Sequence, residues 1–394
     1  MSQTTPDRFD PLTVPLSPGI TLVEASAGTG KTFAITRLVL RLLLEGDRPL
    51  ALREIAVVTF TEKGTNELIT RLRAVLRLAR DLCSDTPPPP DEIPQDLVDF
   101  LRPQRTEAGA RIAAALASID QLSVSTIHGF CRRILTELAL EAGVHFDLEF
   151  VENDTANLTR AAHDWARRTL VTDIAPATVV ATDGVDPAVW APKLIPKASA
   201  HPMIDLRAGT DLGAALLHGF VTAVQTGARR ERERRHALSF DDLLQRLSAI
   251  LTTEGPDGTL ARRIRERFRA AVIDEFQDTD PFQFPIFQTA FAGCPLFLIG
   301  DPKQSIYAFR GADVRAYLTA ARSATQRFTL DVNYRSTPEL VADRAVALSQ
   351  PSLASLRRGA RHHPAGDPVG GGRPAARRTA GRRSTGPPLA HHPR

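Results

Sequence analysis

Leu22-Val23-Glu24-Ala25-Ser26-Ala27-Gly28-Thr29-Gly30-Lys31-Thr32 decides the fold of this 394-residue chain. Ile20 to Val23 is an apolar run that reads as a buried strand. Phe33 to Leu44 then carries apolar residues at helical spacing. A strand, a small-residue loop and a helix, in that order, are the setting of a phosphate-binding loop. Small residues let the backbone come close to an anion, and the amides at the helix start point at it. On this reading Ala25, Ser26, Ala27, Gly28, Thr29, Gly30, Lys31 and Thr32 cradle the phosphates of a nucleotide. Lys31 reaches the β- and γ-phosphates as a point charge, and the Thr32 hydroxyl ligates Mg²⁺. Ala25 stands where the usual pattern has its first glycine.

A matching acidic element lies far downstream. Val272-Ile273-Asp274-Glu275-Phe276-Gln277-Asp278 is a short apolar strand that delivers acids to its carboxyl end, where α/β sheets place ligands. Asp274 is expected to hold Mg²⁺, directly or through water. Glu275 is expected to polarise an attacking water as general base. In a third element, Phe297 to Ile299 form an apolar strand that ends in a polar loop. There Gln304 can sense the γ-phosphate. Phe309 and Arg310 pair an aromatic face with a guanidinium, which suits single-stranded nucleic acid. Taken alone, Phe309 reads more readily as a core side chain than as a stacking platform.

Outward from these elements, the chain alternates strands and helices. Ile55-Ala56-Val57-Val58-Thr59-Phe60 is a second buried strand, followed by an amphipathic helix over Leu68 to Leu82. Four consecutive prolines within Thr86 to Pro94 mark a loop or linker. Gly109 to Ile119 reads as a helix, Gln121 to Thr126 as a short strand, and His128-Gly129-Phe130 opens another helix. From Glu152 to Arg235 no motif occurs, as in an inserted domain. Arg229 to Arg235 reads as a solvated, mixed-charge helix face. Ser239 to Leu251 is again helical, and Pro295 to Ile299 is strand. Repeated alternation predicts an α/β fold with a parallel sheet.

Totals add limits. The composition, 43% hydrophobic and 24% charged, suits a soluble chain with a core. No secretory segment or bilayer-length apolar run occurs, so the expected location is cytoplasmic, with no membrane partner. Cys83, Cys131 and Cys294 lie far apart and form no metal or disulfide spacing, which predicts buried, neutral thiols. The net charge of +4 misleads, because nine arginines and one acid give residues 357–394 a balance of +8 and leave the remainder near −4. That tail, rich in Arg, Pro, Gly and His, has the composition of a disordered segment. It is expected either to bind nucleic acid nonspecifically or to have no role.

Together these elements resemble the superfamily 1 helicases of the UvrD/Rep type, in the branch of the exodeoxyribonuclease V beta subunit, RecB. Glu24 to Thr32 matches the family's Walker A block. Val58 to Leu68 resembles the next block, which touches single-stranded DNA; Thr59 and Thr61 are the candidates here, and Lys63-Gly64-Thr65 replace the family's alanines. Ser125 to Leu135 matches a block built on a His-Gly-Phe turn, with Thr126 and His128 as candidates for DNA contact or coupling. Ser239 to Leu244 is a RecB-like phrase. Val272 to Thr279 matches Walker B, and Ile299 to Asp313 matches motif III. Asn333-Tyr334-Arg335-Ser336-Thr337 resembles motif IV, in which Tyr334 would pack on adenine and Arg335 would meet the γ-phosphate. The family's adenine-reading Gln is absent before the first strand, where Pro15-Leu16-Ser17-Pro18-Gly19 stand.

The resemblance implies ATP and Mg²⁺ as cofactors, single- or double-stranded DNA as the partner, and RecC- and RecD-like subunits. It implies a RecA-like P-loop NTPase domain in two parts, residues 1–135 and 237–320, around a helical inserted domain at 136–236. Only the start of a second RecA-like domain, 321–350, would follow, and then the basic tail, 351–394. Nothing after Thr337 resembles the family's later motor motifs or its nuclease domain, and a change of reading frame would give such a tail. Neighbouring frames of the coding DNA without helicase motifs would count against that origin. Three functions stay open: a DNA helicase or translocase, a truncated module that binds ATP and single-stranded DNA without coupling them, and another kind of P-loop NTPase. The last is disfavoured, because it needs neither Gln304 to Gly311 nor Ser125 to Leu135.

Overall fold

The computed structural model describes residues 6–46, 48–84, 94–147, 149–151, 154–170, 212–305 and 314–336. In chain order, the first half has β1 (Asp7–Arg8), β2 (Gly19–Ala25), α1 (Lys31–Leu44), β3 (Ile55–Thr59), α2 (Glu62–Leu82), α3 (Gln95–Leu101), α4 (Arg105–Ala117), β4 (Ser123–Thr126) and α5 (Ile127–Glu137). Then come β5 (Glu149–Val151), α6 (Thr155–Leu170), α7 (Leu212–Arg234), β6 (Ala237–Ser239), α8 (Phe240–Glu254) and α9 (Thr259–Arg267). The last elements are β7 (Ala270–Ile273), α10 (Gln283–Ala290), β8 (Pro295–Gly300), α11 (Val314–Ser323) and β9 (Gln326–Leu330).

Seven strands form one parallel sheet in the order β1-β9-β2-β8-β7-β3-β4. Side chains alternate between its faces, as the pleat requires. Leu22, Val58, Ile273 and Leu298 meet a core built by α5, α8, α9 and α10. Val23, Val57, Val272 and Phe297 meet the opposite core under α1, α2 and α4. Covered on both faces, the central strands are continuously apolar. Phe130, fully buried, stacks among Phe268, Phe287 and Phe291, and its burial stabilises the fold by roughly 3 kcal/mol. The expected mixed α/β fold with a parallel sheet is therefore present.

Helix α1 is buried from Ala34 to Leu44, including two arginines. Each arginine is paired, as a buried charge must be. Arg37 donates to Asp96 of α3 at 3.0 Å, and Arg41 binds Glu45 and the Val14 carbonyl. Arg41 thereby fastens the segment after β1 across the helix. Strands β1 and β9 escape a sequence reading because they are short, polar and at or near the sheet edge. Strand β9 lies in this sheet between β1 and β2, whereas the sequence reading starts a second domain at residue 321. Cys131 is buried, Cys83 and Cys294 half-buried, and burial pushes all three thiols up, so they stay neutral. Among the described residues no helix is long and apolar enough to cross a membrane.

The region without motifs has its own small core. Leu158, Ala161 and Ala162 of α6 pack on Phe220, Val221, Val224 and Ala228 of α7. Its two ends are held together by the parallel pair β5 and β6. Arg232 is a correction to the sequence reading of a solvated face. Its side chain is 9% exposed, bonded to Asp154 before α6 and forked onto Asp242 in α8, at 2.9 Å for one arm. Asp242 also closes a capping box with Ser239 at the start of α8. Arg232→Met strands two carboxylates, so it is expected to cost about 3–5 kcal/mol, read as a lower urea midpoint for the whole chain. A loss below about 1 kcal/mol, the range of exposed pairs, would show that solvent already screens this cluster. The four-proline loop, the segment 171–211, Phe309, Arg310, Thr337 and the basic tail lie outside the described residues.

Candidate nucleotide-binding site

Every described candidate residue leaves the sheet at or just beyond a strand's carboxyl end, or opens the helix that follows. After β2 the chain turns through Ser26 to Gly30, with Thr29 donating through both its amide and its hydroxyl to the Ser26 carbonyl. Gly28 and Gly30 have φ of 81° and 88°, the left-handed region that favours glycine. Space matters as well as conformation: a Cβ on Gly28 would stand 2.6 Å from Asn333 Oδ1 and 2.8 Å from Arg335 Cβ. No side chain caps α1. Its first amides are left for an anion, and the helix dipole favours one there.

Lys31 opens α1, and its ammonium bonds to Glu275 Oε2, 244 residues later. The loop after β2 and the acids after β7 therefore share one cleft. Asp274 follows β7, and its amide donates to the Val58 carbonyl at 2.8 Å. Its Oδ1 accepts from the Glu275 amide at 2.9 Å. Burial, helped by the Glu275 charge, pushes the Asp274 carboxyl up to about 6, while Lys31 pulls it down. Asp278 is also pushed up to about 6, by burial and then by Glu275. Its Oδ1 is buried with no hydrogen-bond partner among the described residues. Glu275 itself sits at φ 50°, rare for a residue with a side chain and strained by about 1–2 kcal/mol. Such strain is common where function fixes a side chain.

Crowded carboxylates with one lysine between them are poised to accept more positive charge. Magnesium suits such a place, because it takes few protein oxygens and fills its shell with water and phosphate. Thr32 and Asp274 line the same cleft and fit that need.

The loop after β8 begins with Asp301, whose amide donates to Gln277 Oε1 at 2.9 Å. Gln304 donates its side-chain amide to Asp301 Oδ2 at 2.7 Å and does not line the cleft. Of the six DNA candidates, the four described ones lie at the ends of β3 and β4 or just beyond them. Thr59 is buried and bonded to the Thr65 hydroxyl at 2.8 Å. Thr61 caps α2 through the Gly64 amide. Thr126 caps α5 through the Gly129 amide and also donates to Glu62. His128 meets Phe240 edge-on at 5.2 Å, and burial lowers its pKa. It lines a separate cavity of about 300 Å³ with Phe60, Phe282, Asp278 and Asp280. Asp278 thus stands between this cavity and the phosphate cleft.

The phosphate cleft, about 570 Å³, is lined by Gly28, Lys31, Thr32, Asp274, Glu275 and Arg335, among others. A second cleft of about 690 Å³ adjoins it across Gly30, Phe33 and Tyr334. Phe9, Pro11, Phe33, Leu330 and Tyr334 make it largely apolar, with Arg8 and Asp10 at hand. Tyr334 is 74% exposed and is fixed by its backbone, whose amide donates to the Gly28 carbonyl at 2.9 Å. Residues 8–11 carry no sequence signal for a nucleotide base; only the pairing of β1 with β9 brings them here. Gln277 and Asp278 were visible in sequence merely as neighbours of Glu275.

Comparison with known proteins agrees with this geometry. Residues 12–325 match the family described as the UvrD/REP helicase N-terminal domain. The RecBCD enzyme subunit RecB of Mycobacterium tuberculosis (strain CDC 1551 / Oshkosh) is 35% identical over 356 residues, covering 88% of this chain and 31% of that protein. RecB of Escherichia coli (strain K12) is 31% identical over 455 residues, covering 85% of this chain and 38% of its own. RecB of Haemophilus influenzae is 28% identical over 494 residues, covering 86% and 40%. The chain spans about a third of the length of the curated relatives it matches.

Proposed function

The chain belongs to the UvrD/REP helicase N-terminal domain family, and from that premise we propose that it is the nucleotide-hydrolysing part of a RecB-type DNA motor. The reaction is Mg-ATP hydrolysis linked to movement on single-stranded DNA, in double-strand break repair and recombination. One observation carries this reading: Lys31 and Glu275 meet in a cleft whose glycine turn leaves helix amides open to phosphate.

Each residue has a task. Triphosphate lies along Ser26 to Thr32, against the α1 amides. Lys31 exchanges Glu275 for the β- and γ-phosphates, whose greater charge outcompetes one carboxylate. Thr32 and Asp274 would hold Mg²⁺, which neutralises phosphate charge as it develops. Glu275, released from Lys31, takes the proton of the attacking water. The base lodges against Tyr334 and Phe33 in the neighbouring apolar cleft, and Arg335 faces the γ-phosphate. Gln304, which in this structure is held on Asp301 outside the cleft, would have to leave that carboxylate and turn inward to sense that phosphate. Thr59, Thr61, Thr126, His128, Phe309 and Arg310 are the DNA contacts of this proposal, with RecC- and RecD-like subunits as protein partners.

A second reading keeps the binding of both ligands and drops the link between them. It makes this polypeptide a module that binds Mg-ATP and single-stranded DNA without coupling them. The ATPase rate of the purified chain, with and without single-stranded DNA, separates the two. The motor reading expects at least a tenfold rise, about 1.4 kcal/mol off the barrier. Binding of both ligands without a rise in rate selects the module. Strand unwinding by this chain alone is not expected.

A further inference from the structure

We propose that Gln277 is a positioning residue for hydrolysis, which holds the Glu275 carboxylate in place after Lys31 has moved to phosphate. This rests on the ATPase reading of the cleft. Gln277 is buried, 3% exposed. Its Nε2 donates to Glu275 Oε2 at 2.8 Å and reaches Asp278 Oδ2 at 3.4 Å. Its Oε1 accepts the Asp301 amide at 2.9 Å, and its backbone carbonyl accepts the Ser305 hydroxyl at 3.2 Å. These partners fix the orientation of the amide. Flipped, it would turn its oxygen on two carboxylates and its NH₂ on a backbone N–H.

The surroundings fix its place as well. A Cβ on Gly300 would fall 2.6 Å from Gln277 Oε1 and 3.0 Å from the Gln277 backbone nitrogen, so only glycine lets the side chain lie against the end of β8. Glu275 Oε2 is shared by Lys31 and Gln277, whereas Oε1 has no hydrogen bond among the described residues. Nucleotide therefore removes one of the two holds on Oε2. A carboxylate left with none would swing on its flexible stem. A neutral amide keeps it aimed without adding a charge to compete with phosphate. Oε1 is then the atom that meets water. The far end of the same amide is anchored on the loop that carries Gln304, so Glu275 is referenced to that loop as well.

The test is steady-state ATP turnover by the full chain with Mg-ATP and single-stranded DNA, for wild type, Gln277→Leu, Glu275→Gln and the double variant. Misplacing a general base by about an ångström costs on the order of 10²-fold. Gln277→Leu is accordingly expected to lower kcat by about 10- to 100-fold while KM for ATP stays within about threefold. In the Glu275→Gln background the same change should cost less than about twofold further, because residues acting through one another do not add. Gln277→Glu keeps the shape and the acceptor for Asp301 but loses both donors, and should fall as far as Gln277→Leu. It decides the matter if Gln277→Leu does not fold. Multiplying losses in the double variant, or a raised KM with kcat intact, would overturn the proposal and leave Gln277 a packing residue. A wild type that turns over while both Gln277 variants keep its kcat sinks this inference alone. A wild type that neither binds nor hydrolyses Mg-ATP sinks the site reading and this inference with it.

Discussion

Lys31→Ala is expected to reduce ATP turnover by at least about 10³-fold, the scale for losing a preorganised charge on a developing oxyanion. Its cation has two places to be. Without nucleotide it sits on Glu275, 13% exposed against 36% for its partner. On the proposed reading, nucleotide draws it to phosphate. Removing it leaves Asp274, Glu275 and Asp278 around one cleft with no lysine among them. Asp274 and Asp278 already stand near 6 despite the Lys31 charge, so their carboxyls should rise further, which only partly offsets the lost cation, and the cleft should repel triphosphate more. Affinity for Mg-ATP should therefore drop together with kcat, as read by fluorescent-nucleotide titration and phosphate release. Lys31→Arg should rescue little, because a planar fork does not reproduce a compact point charge. Turnover within tenfold of wild type in Lys31→Ala would remove the phosphate loop from the mechanism.

Glu275→Gln separates chemistry from binding. The amide keeps the shape of the acid but cannot take a proton from water, so kcat should fall by about 10²–10⁴-fold, the usual worth of a general base. Nucleotide binding should hold or tighten, since one negative charge leaves a cleft that receives a polyanion. The two variants thus predict opposite shifts in affinity with a similar loss of rate. A Glu275→Gln protein that loses affinity as Lys31→Ala does would mark Glu275 as a structural partner of the lysine and nothing more.

Much of this was legible from residue order. The apolar runs of β2, β3, β7 and β8 announce themselves because both faces of a parallel sheet are covered. The glycine turn before Lys31 and the acids after Ile273 carry their own spacing. Other features depend on contacts that no local pattern encodes. Arg232 stands in a run of charges that reads as solvated, and only the return of the chain brings Asp154 and Asp242 to it. Thr61 and Thr126 were read as DNA contacts, and geometry adds that each caps a helix. The cap on Thr61 also starts α2 at Glu62, a turn and a half before the apolar periodicity becomes regular at Leu68. Strand β9 was invisible because Gln326-Arg327-Phe328-Thr329-Leu330 alternates weakly and lies near an edge.

Strand β9 has one more bearing on how such a protein could work. It runs directly beside β2, and only a few residues after its end the Tyr334 amide grips the carbonyl of Gly28. Any shift of residues 331–336 would thus be felt at the turn through Gly28 by way of that backbone hydrogen bond. Movement there and an anion seated in the turn would then bear on each other, a ratchet pawl and its tooth set side by side.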